Sequence, residues 1–261
     1  MKLSQMALTR KANSRNAKSE VVPPPSSQIE TADIILLKHD LHVLQAGVVE
    51  GRRTFGNIMK YLMMGTSSNF GNMFSMAGAA LFLPFLPMLP TQILLNNILY
   101  DVSETPIPLD EVDAVEIRSP RALDMNFIRN FMLVIGPISS LFDFLTFYVM
   151  LVVLQAGERL FQTGWFIESL CTQVLVIFVI RTRGSPLRSR PHPLLAATSL
   201  AVVALAAMLP LTPLGVHFGF VPPPPAFYAI LGGMVAAYLC IVELVKRGFY
   251  RWALKLHPAR P

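Results

Sequence analysis

The chain is poor in charged residues and almost without cysteine. Of its 261 residues only 15% are Asp, Glu, Lys or Arg, and 53% are hydrophobic. A soluble domain carries about 25% charged residues, so the composition indicates a membrane protein. The two cysteines, Cys171 and Cys240, lie inside apolar runs with no second Cys or His at ligand spacing. Their placement argues against a disulfide framework and against a zinc site.

Histidine is also sparse, and the positive charge has a particular distribution. The five histidines are scattered, and we predict no Ser-His-Asp arrangement and no catalytic residue within the chain. The net charge of +6 comes from Lys and Arg that collect in short segments beside apolar runs. Such charge sets membrane topology, whereas a nucleic-acid surface carries basic residues along one face with aromatics between them. We therefore expect a lipid bilayer and no nucleic acid as partner.

Six apolar segments are close to the length that a membrane-spanning helix needs, which is about 20 residues. The second segment is short and is followed by the sequence Thr-Pro-Ile-Pro, which ends a helix. The six segments predict an all-α polytopic membrane protein with six transmembrane helices. We place them at about residues 67–83, 91–102, 131–154, 165–180, 194–211 and 226–245.

The loops between these segments predict the orientation in the membrane. If the helices alternate, most basic residues fall on one side, and the other side carries Arg159 and little else. By the positive-inside rule both termini are then cytoplasmic. The residues on the basic side are Arg118, Arg121, Arg181, Arg183, Arg188, Arg190, Lys246, Arg247, Arg251 and Lys255.

The part before the first span divides into three pieces. Residues 1–30 are polar and basic, lack the apolar stretch of a signal peptide, and are predicted to be a disordered tail. In residues 31–57 the run Ala32–Leu37 suits a buried strand, and Asp40 is placed to cap a helix that ends near Gly51. One strand and one helix bury too little surface to fold alone, so this piece looks cut from a larger α/β domain. Residues 58–66 form a stalk, 67–252 the membrane domain and 253–261 a cytoplasmic tail.

Polar residues stand at helical spacing inside the first two apolar segments. Asn69 and Asn72 are three residues apart, and Asn97, Asp101 and Glu104 are four and three apart. Residues at these spacings share a helix face, so each segment would present a stripe of side-chain oxygens. Oxygen ligands at membrane depth suggest an ion site. A hydrogen-bonded seam between two helices is an equally supported alternative.

Three further polar residues lie in the later spans: Asp143, Glu168 and Gln173. They could belong to an ion pathway. Contacts between helices are the favoured interpretation, because polar groups inside membranes generally pair with one another.

Several motifs resemble those of one family. The most specific are Ala32–Leu37 (ADIILL), Gly47–Asn57 (GVVEGRRTFGN), Ser67–Asn72 (SSNFGN), Leu83–Pro90 (LPFLPMLP) and Asn96–Asp101 (NNILYD). With them the chain resembles, over about residues 31–252, the P-type cation-transporting ATPases, and among these the bacterial magnesium-importing branch. The resemblance implies that residues 31–57 are the C-terminal remnant of the phosphorylation domain. It also implies that the six spans are membrane helices five to ten of a pump in the bacterial inner membrane.

The resemblance also implies an ion site between the fourth, fifth and sixth helices of the pump. The matching positions here are Asn69, Asn72, Asn97, Tyr100 and Asp101. The calcium branch has a carboxylate where Asn72 stands, which argues against two calcium ions. Mg²⁺ is a hard cation that prefers oxygen ligands and keeps several waters, so one carboxylate with amide oxygens is consistent with Mg²⁺ as the transported ion.

The family's catalytic motifs do not occur in the 261 residues. Neither the aspartyl-phosphate motif Asp-Lys-Thr-Gly-Thr nor the segment Gly-Asp-Gly-x-Asn-Asp is found. ATP would therefore act only through missing domains, for which a separate chain is one source, and we expect no ATPase activity from this chain alone. We interpret it as the C-terminal transport portion of a magnesium-importing pump. The alternatives are a non-enzymatic membrane protein, either a degenerate remnant or a regulatory subunit of an intact pump, and a pump portion for another divalent cation.

Overall fold

The computed structural model describes Leu8–Thr9, Leu37–Lys38 and residues 41–256 except 121 and 187. Leu8–Thr9 and Leu37–Lys38 pair as two short parallel strands, β1 and β2. Apart from Leu8–Thr9, the predicted tail 1–30 lies outside the described residues. The same is true of Asp40, of the predicted strand except Leu37, and of 257–261 in the predicted C-terminal tail. The chain divides into two compact units, Met1–Arg53 and Thr54–Pro261.

The first helix, α1, runs from Leu41 to Ala79, a length of 39 residues. The predicted helix end near Gly51 is therefore wrong. An isolated glycine inside a helix costs only about 1 kcal/mol relative to alanine, which its neighbours can offset. Glu50 and Arg53 form an ion pair across the predicted end, with 3.3 Å between Oε2 and Nη1.

Eight further helices follow α1 in the described part of the chain. Pro90, Pro193 and Pro213 each stand in the first turn of their helix, where the missing N–H is not needed. A π turn at Val149–Val153 extends the fourth helix, and 3₁₀ turns lie at Ile107–Leu109 and Leu209–Leu211. The helices are α2 (Pro90–Glu104), α3 (Ala114–Arg118), α4 (Met125–Tyr148), α5 (Glu158–Leu175), α6 (Ile177–Ile180), α7 (Pro193–Met208), α8 (Pro213–His217) and α9 (Pro225–Leu256).

In the described residues, four helical segments are long and apolar enough to cross a membrane, so the chain is a multi-pass membrane protein. They overlap the third to sixth predicted spans, with ends that differ by up to seven residues. The remaining two predicted spans are not confirmed. Helix α2 has 15 residues, or about 22 Å at 1.5 Å per residue, against a hydrocarbon core of about 30 Å. The four segments are Met125–Val153, Glu158–Ile180, Pro193–Leu211 and Pro225–Trp252.

Helix α5 lies at the centre of the bundle. Its most apolar stretch is 89% buried, against 28% for the last span, and it packs against α2, α4, α7 and α9. Phe147 of α4 lies between Phe161 and Trp165 of α5, with ring centroids 5.2 and 5.0 Å away. A helix that is buried all round is expected only where neighbours cover every face.

Helices α1 and α4 cross at two glycines. A Cβ atom built on Gly71 would lie 3.0 Å from the Cβ of Ser139 and 3.1 Å from the backbone oxygen of Gly136. The Ser140 hydroxyl donates a hydrogen bond of 2.9 Å to the backbone oxygen of Gly71. Small residues at helix crossings in membranes allow this close backbone approach. The crossing fixes the part of α1 that carries Asn69 and Asn72.

We expect Gly71→Ala to lower the unfolding temperature, because the new methyl group meets backbone atoms of α4. Overpacking of this kind costs about 1–3 kcal/mol. Gly65→Ala is the matched control on the same helix, since no atom lies within 4 Å of its Cβ position. There the change should be neutral or raise stability by about 0.5–1 kcal/mol. Heat-induced unfolding in detergent measures both, and equal effects of the two substitutions would contradict the described crossing.

Candidate cation site

Helix α2 separates the polar residues of the second predicted segment into two environments. Its buried face carries polar side chains at intervals of four, namely Gln92, Asn96, Tyr100 and Glu104. Asn97 and Asp101 are exposed. The predicted stripe of Asn97, Asp101 and Glu104 is therefore divided, with Glu104 alone on the buried side.

The amides of α1 also differ in exposure. Asn69 is exposed and Asn72 is half-buried. The side-chain oxygen of Asn72 accepts a hydrogen bond of 3.3 Å from the Ser169 hydroxyl of α5, which in turn accepts one of 2.5 Å from Gln173. Asn72 is thus oriented by the central helix of the bundle.

Tyr100 is the predicted site residue that lies deepest, with 4% of its surface exposed. Its hydroxyl lies near Ser68 of α1 and Glu104, which connects α1 with α2. Three buried oxygens in this region lack a hydrogen bond of ordinary geometry: the Tyr100 hydroxyl, the Asn96 side-chain oxygen and Oε1 of Glu104. A buried polar atom without a partner costs about 1–3 kcal/mol, so these three oxygens are suited to a ligand or water.

The site residues implied by the resemblance thus omitted Asn96, Glu104 and Ser68, although Glu104 belonged to the predicted stripe. The available signal was the four-residue spacing of Gln92, Asn96, Tyr100 and Glu104. Within the described residues no three His, Cys, Asp or Glu side chains come together as a metal site. A cation bound at α1 and α2 would therefore depend on amide and hydroxyl oxygens as well as on carboxylate.

The segment after α2 is held by the buried carboxylate of Asp110, which receives two cations. Lys60 of α1 approaches Oδ2 with its Nζ at 2.7 Å. Arg181, which follows α6, donates from Nε to Oδ2 and from Nη2 to Oδ1, both at 2.9 Å. Burial works against the charged form, but the hydrogen bonds from Arg181 and Lys60 prevail and lower the pKa of Asp110 below its usual range.

Further hydrogen bonds secure the same end of the bundle. The amide of Asn57 donates to the backbone oxygens of Pro108 and Asp110, at 3.1 and 3.0 Å. The Thr182 hydroxyl and the Arg183 backbone N–H both donate to Asp113. Helix α1 and the segment before α7 are thus attached to one connection.

The buried Lys246 of α9 completes this region. Its Nζ donates to the backbone oxygens of Val179, Thr182 and Gly184, at 2.9, 3.0 and 3.0 Å. These carbonyls lie where α6 ends, so the ammonium group satisfies oxygens that the helix leaves without partners.

The sequence agrees with a known family over most of this helical part. The family model described as "Cation transporting ATPase, C-terminus" matches residues 85–248, which is more than half of the chain. The chain belongs to the cation-transporting ATPases. It corresponds to their C-terminal region, as the motifs predicted.

Individual cation-transporting ATPases show the same relationship. The chain is 45% identical over 226 residues to the magnesium-transporting ATPase, P-type 1, of Salmonella typhimurium strain LT2. It is 44% identical over 227 residues to the protein of the same name from Escherichia coli strain K12. Each match covers 85% of this chain and 25% of the relative. The chain thus spans about a quarter of the length of the curated relatives it matches.

We expect Arg181→Ala to destabilise the protein strongly, because it leaves the buried Asp110 carboxylate with Lys60 as its one remaining cation. Breaking a buried pair by removing one partner costs about 3–5 kcal/mol. Arg188→Ala is the matched control, since the Arg188 side chain is exposed. The measurement is unfolding by heat in detergent, and similar unfolding temperatures for both variants would contradict a structural role for the buried pair.

The lowered pKa of Asp110 also predicts how stability depends on pH. A carboxylate with a lowered pKa contributes stability above its unfolded pKa of about 3.9 and loses it as the pH falls through the folded value. We expect unfolding temperatures measured below about pH 4 to fall less steeply for Asp110→Asn than for the wild type. Parallel pH profiles would contradict this assignment.

Proposed function

We propose that this chain is the membrane transport portion of a magnesium-importing P-type ATPase. In this proposal Mg²⁺ is held between α1 and α2 by Asn69, Asn72, Asn97, Tyr100 and Asp101. The observation that carries the proposal is the match to two magnesium-transporting ATPases along 85% of the chain, combined with amide, hydroxyl and carboxylate oxygens on two neighbouring helices.

The chemistry of these oxygens supports a hard divalent cation. Mg²⁺ keeps several waters and takes one or two carboxylates with neutral oxygens. Asp101 would supply the negative charge. Asn69, Asn72 and Asn97 would supply carbonyl oxygens directly or through water, and the buried Tyr100 would close the inner side.

The exposure of Asn69, Asn97 and Asp101 supports further protein on that face. Amides and a carboxylate are costly in hydrocarbon and generally face protein, water or an ion. In the family that the motifs resemble, the ion lies between the fourth, fifth and sixth helices, and α1 and α2 match the last two of these. We infer that another helix of the pump covers the exposed face, with α1 and α2 crossing the membrane beside the four apolar spans.

The basic loops support an orientation with both termini cytoplasmic, in the bacterial inner membrane. Lys60, Arg181 and Lys246 then lie at the cytoplasmic end, together with the ion pairs of Asp110. We infer that the energy for transport comes from ATP hydrolysed by domains outside these 261 residues, on a longer form of the chain or on a separate chain. Asn57 and Lys60 would connect such domains with the ion site through α1.

We expect Asp101→Asn to weaken Mg²⁺ binding about tenfold or more, because it removes the one charged ligand of the proposed site. The measurement is calorimetric titration of the purified chain in lipid nanodiscs with Mg²⁺. Glu111→Gln is the matched control, since this exposed carboxylate lies outside the helices. Its affinity for Mg²⁺ should stay within about twofold of the wild type.

Transport is tested with a fusion of this chain to the catalytic part of the Escherichia coli relative. The measurement is magnesium uptake into cells that depend on the fusion protein for this ion. We expect uptake from the wild type and from Glu111→Gln, and none from Asp101→Asn. Wild-type uptake by Asp101→Asn would remove Asp101 from the site. Uptake of another divalent ion in place of Mg²⁺ would favour a pump for that cation.

A further inference from the structure

Two buried carboxyl groups lie in the bundle and have no part in the proposed cation site. Asp143 belongs to α4 and Glu168 to α5, and each is 1% exposed. Both lie in segments apolar enough to cross the membrane. An ionisable group at such a position is costly and points to a function.

The surroundings of Asp143 suit an ionised carboxylate. Its Oδ2 accepts a hydrogen bond of 2.6 Å from the Ser75 hydroxyl of α1. Its Oδ1 accepts one of 2.8 Å from the indole N–H of Trp165 on α5. Indole N–H is a donor only, so one oxygen of Asp143 must remain an acceptor. Donors on both oxygens favour the charged form.

The surroundings of Glu168 are the opposite. Neither of its oxygens has a hydrogen bond of ordinary geometry. The groups beside it are the Asp143 carboxyl and the Thr146 hydroxyl, whose oxygen also has no such partner. A buried carboxylate without donors is strongly disfavoured, whereas a protonated acid can itself donate to Asp143.

In the part of the chain that the structure describes, no ion pair offsets the two negative charges of Asp143 and Glu168. Tyr238 of α9 and Cys171 of α5 are the other titratable groups that interact with these carboxyls. Among the ion pairs of the described residues, none joins Lys, Arg or His to Asp143 or Glu168. Two adjacent carboxylates in a buried site cannot both ionise readily, so one proton remains with the pair.

We propose that Asp143 and Glu168 form a binding site for a single proton inside the membrane bundle. Glu168 carries the proton and donates it in a hydrogen bond to the Asp143 carboxylate. Ser75 and Trp165 keep Asp143 in the charged form that accepts this bond. The site is separate from the proposed Mg²⁺ ligands, and the proposal does not rest on magnesium transport.

Infrared difference spectroscopy of the purified chain in nanodiscs at pH 7 tests the proposal. A protonated carboxylic acid has a C=O stretching band at higher frequency than the carboxylate bands. We expect the wild-type spectrum minus that of Glu168→Gln to show this band. Glu158→Gln, an exposed glutamate on the same helix, is the matched control and should change carboxylate bands alone. The use of difference spectra removes contributions from other buried acids such as Glu104.

Asp143→Asn distinguishes the two carboxyls. The acid band should persist in this variant but shift in frequency, because the acceptor of the Glu168 proton changes from a carboxylate to an amide. The proposal is overturned if wild type minus Glu168→Gln shows carboxylate bands alone, which would mean that Glu168 is ionised. Loss of the acid band in Asp143→Asn would overturn the assignment of the proton to Glu168.

Unfolding temperatures at pH 7 give an independent check. Glutamine at 168 can donate an N–H to Asp143 as the acid does, so Glu168→Gln should unfold close to the wild-type temperature. Asparagine at 143 has one acceptor oxygen for Ser75, Trp165 and Glu168, so Asp143→Asn should unfold at a clearly lower temperature. A larger loss for Glu168→Gln than for Asp143→Asn would contradict the roles of donor and acceptor.

Discussion

The arrangement of the bundle depends on one buried carboxylate, that of Asp110. It binds the ammonium of Lys60 and the guanidinium of Arg181, and its Oδ1 also accepts the backbone N–H of His192. Three separate stretches of chain therefore meet at one anion. Such a group is stable in the interior only when nearly all its acceptor positions are filled. This contact holds the Lys60 end of α1, and the crossing with α4 at Gly71 holds the part that carries Asn69 and Asn72.

The long apolar helices could be predicted from sequence because hydropathy and proline positions are local signals. Each of the four overlaps its predicted span, with ends up to seven residues apart, and the motifs identified the family. The helix end expected near Gly51 was wrong because glycine weakens a helix without obliging it to stop. The contacts of Asp110 could not be predicted, since its partner Arg181 is 71 residues away and periodicity carries no information about such pairs.

For the candidate site too, the sequence alone did not determine which residues face each other. Asn96 and Asn97 are adjacent, so the sequence contains two polar stripes on α2, and spacing alone does not decide which one faces the bundle. The structure buries the stripe of Asn96 and Tyr100 and leaves Asn97 and Asp101 exposed. That choice follows from the packing of α2 against α5 and α7. Asp143, in contrast, makes the contacts between helices that were favoured for it, with Ser75 and Trp165.

The single ammonium group of Lys246 has a consequence for how the last helix is retained. Most of α9 faces outward, yet this side chain reaches three carbonyl oxygens at the end of α6. Withdrawal of the helix would take the ammonium, still paired with Glu243 of the same helix, away from all three carbonyl oxygens at the same moment, so detachment should be all-or-none and not gradual. Arginine would be a poor replacement, because a planar fork cannot match three divergent acceptors as a tetrahedral ammonium does. Lys246 thus holds α9 to the bundle, although most of this helix faces outward.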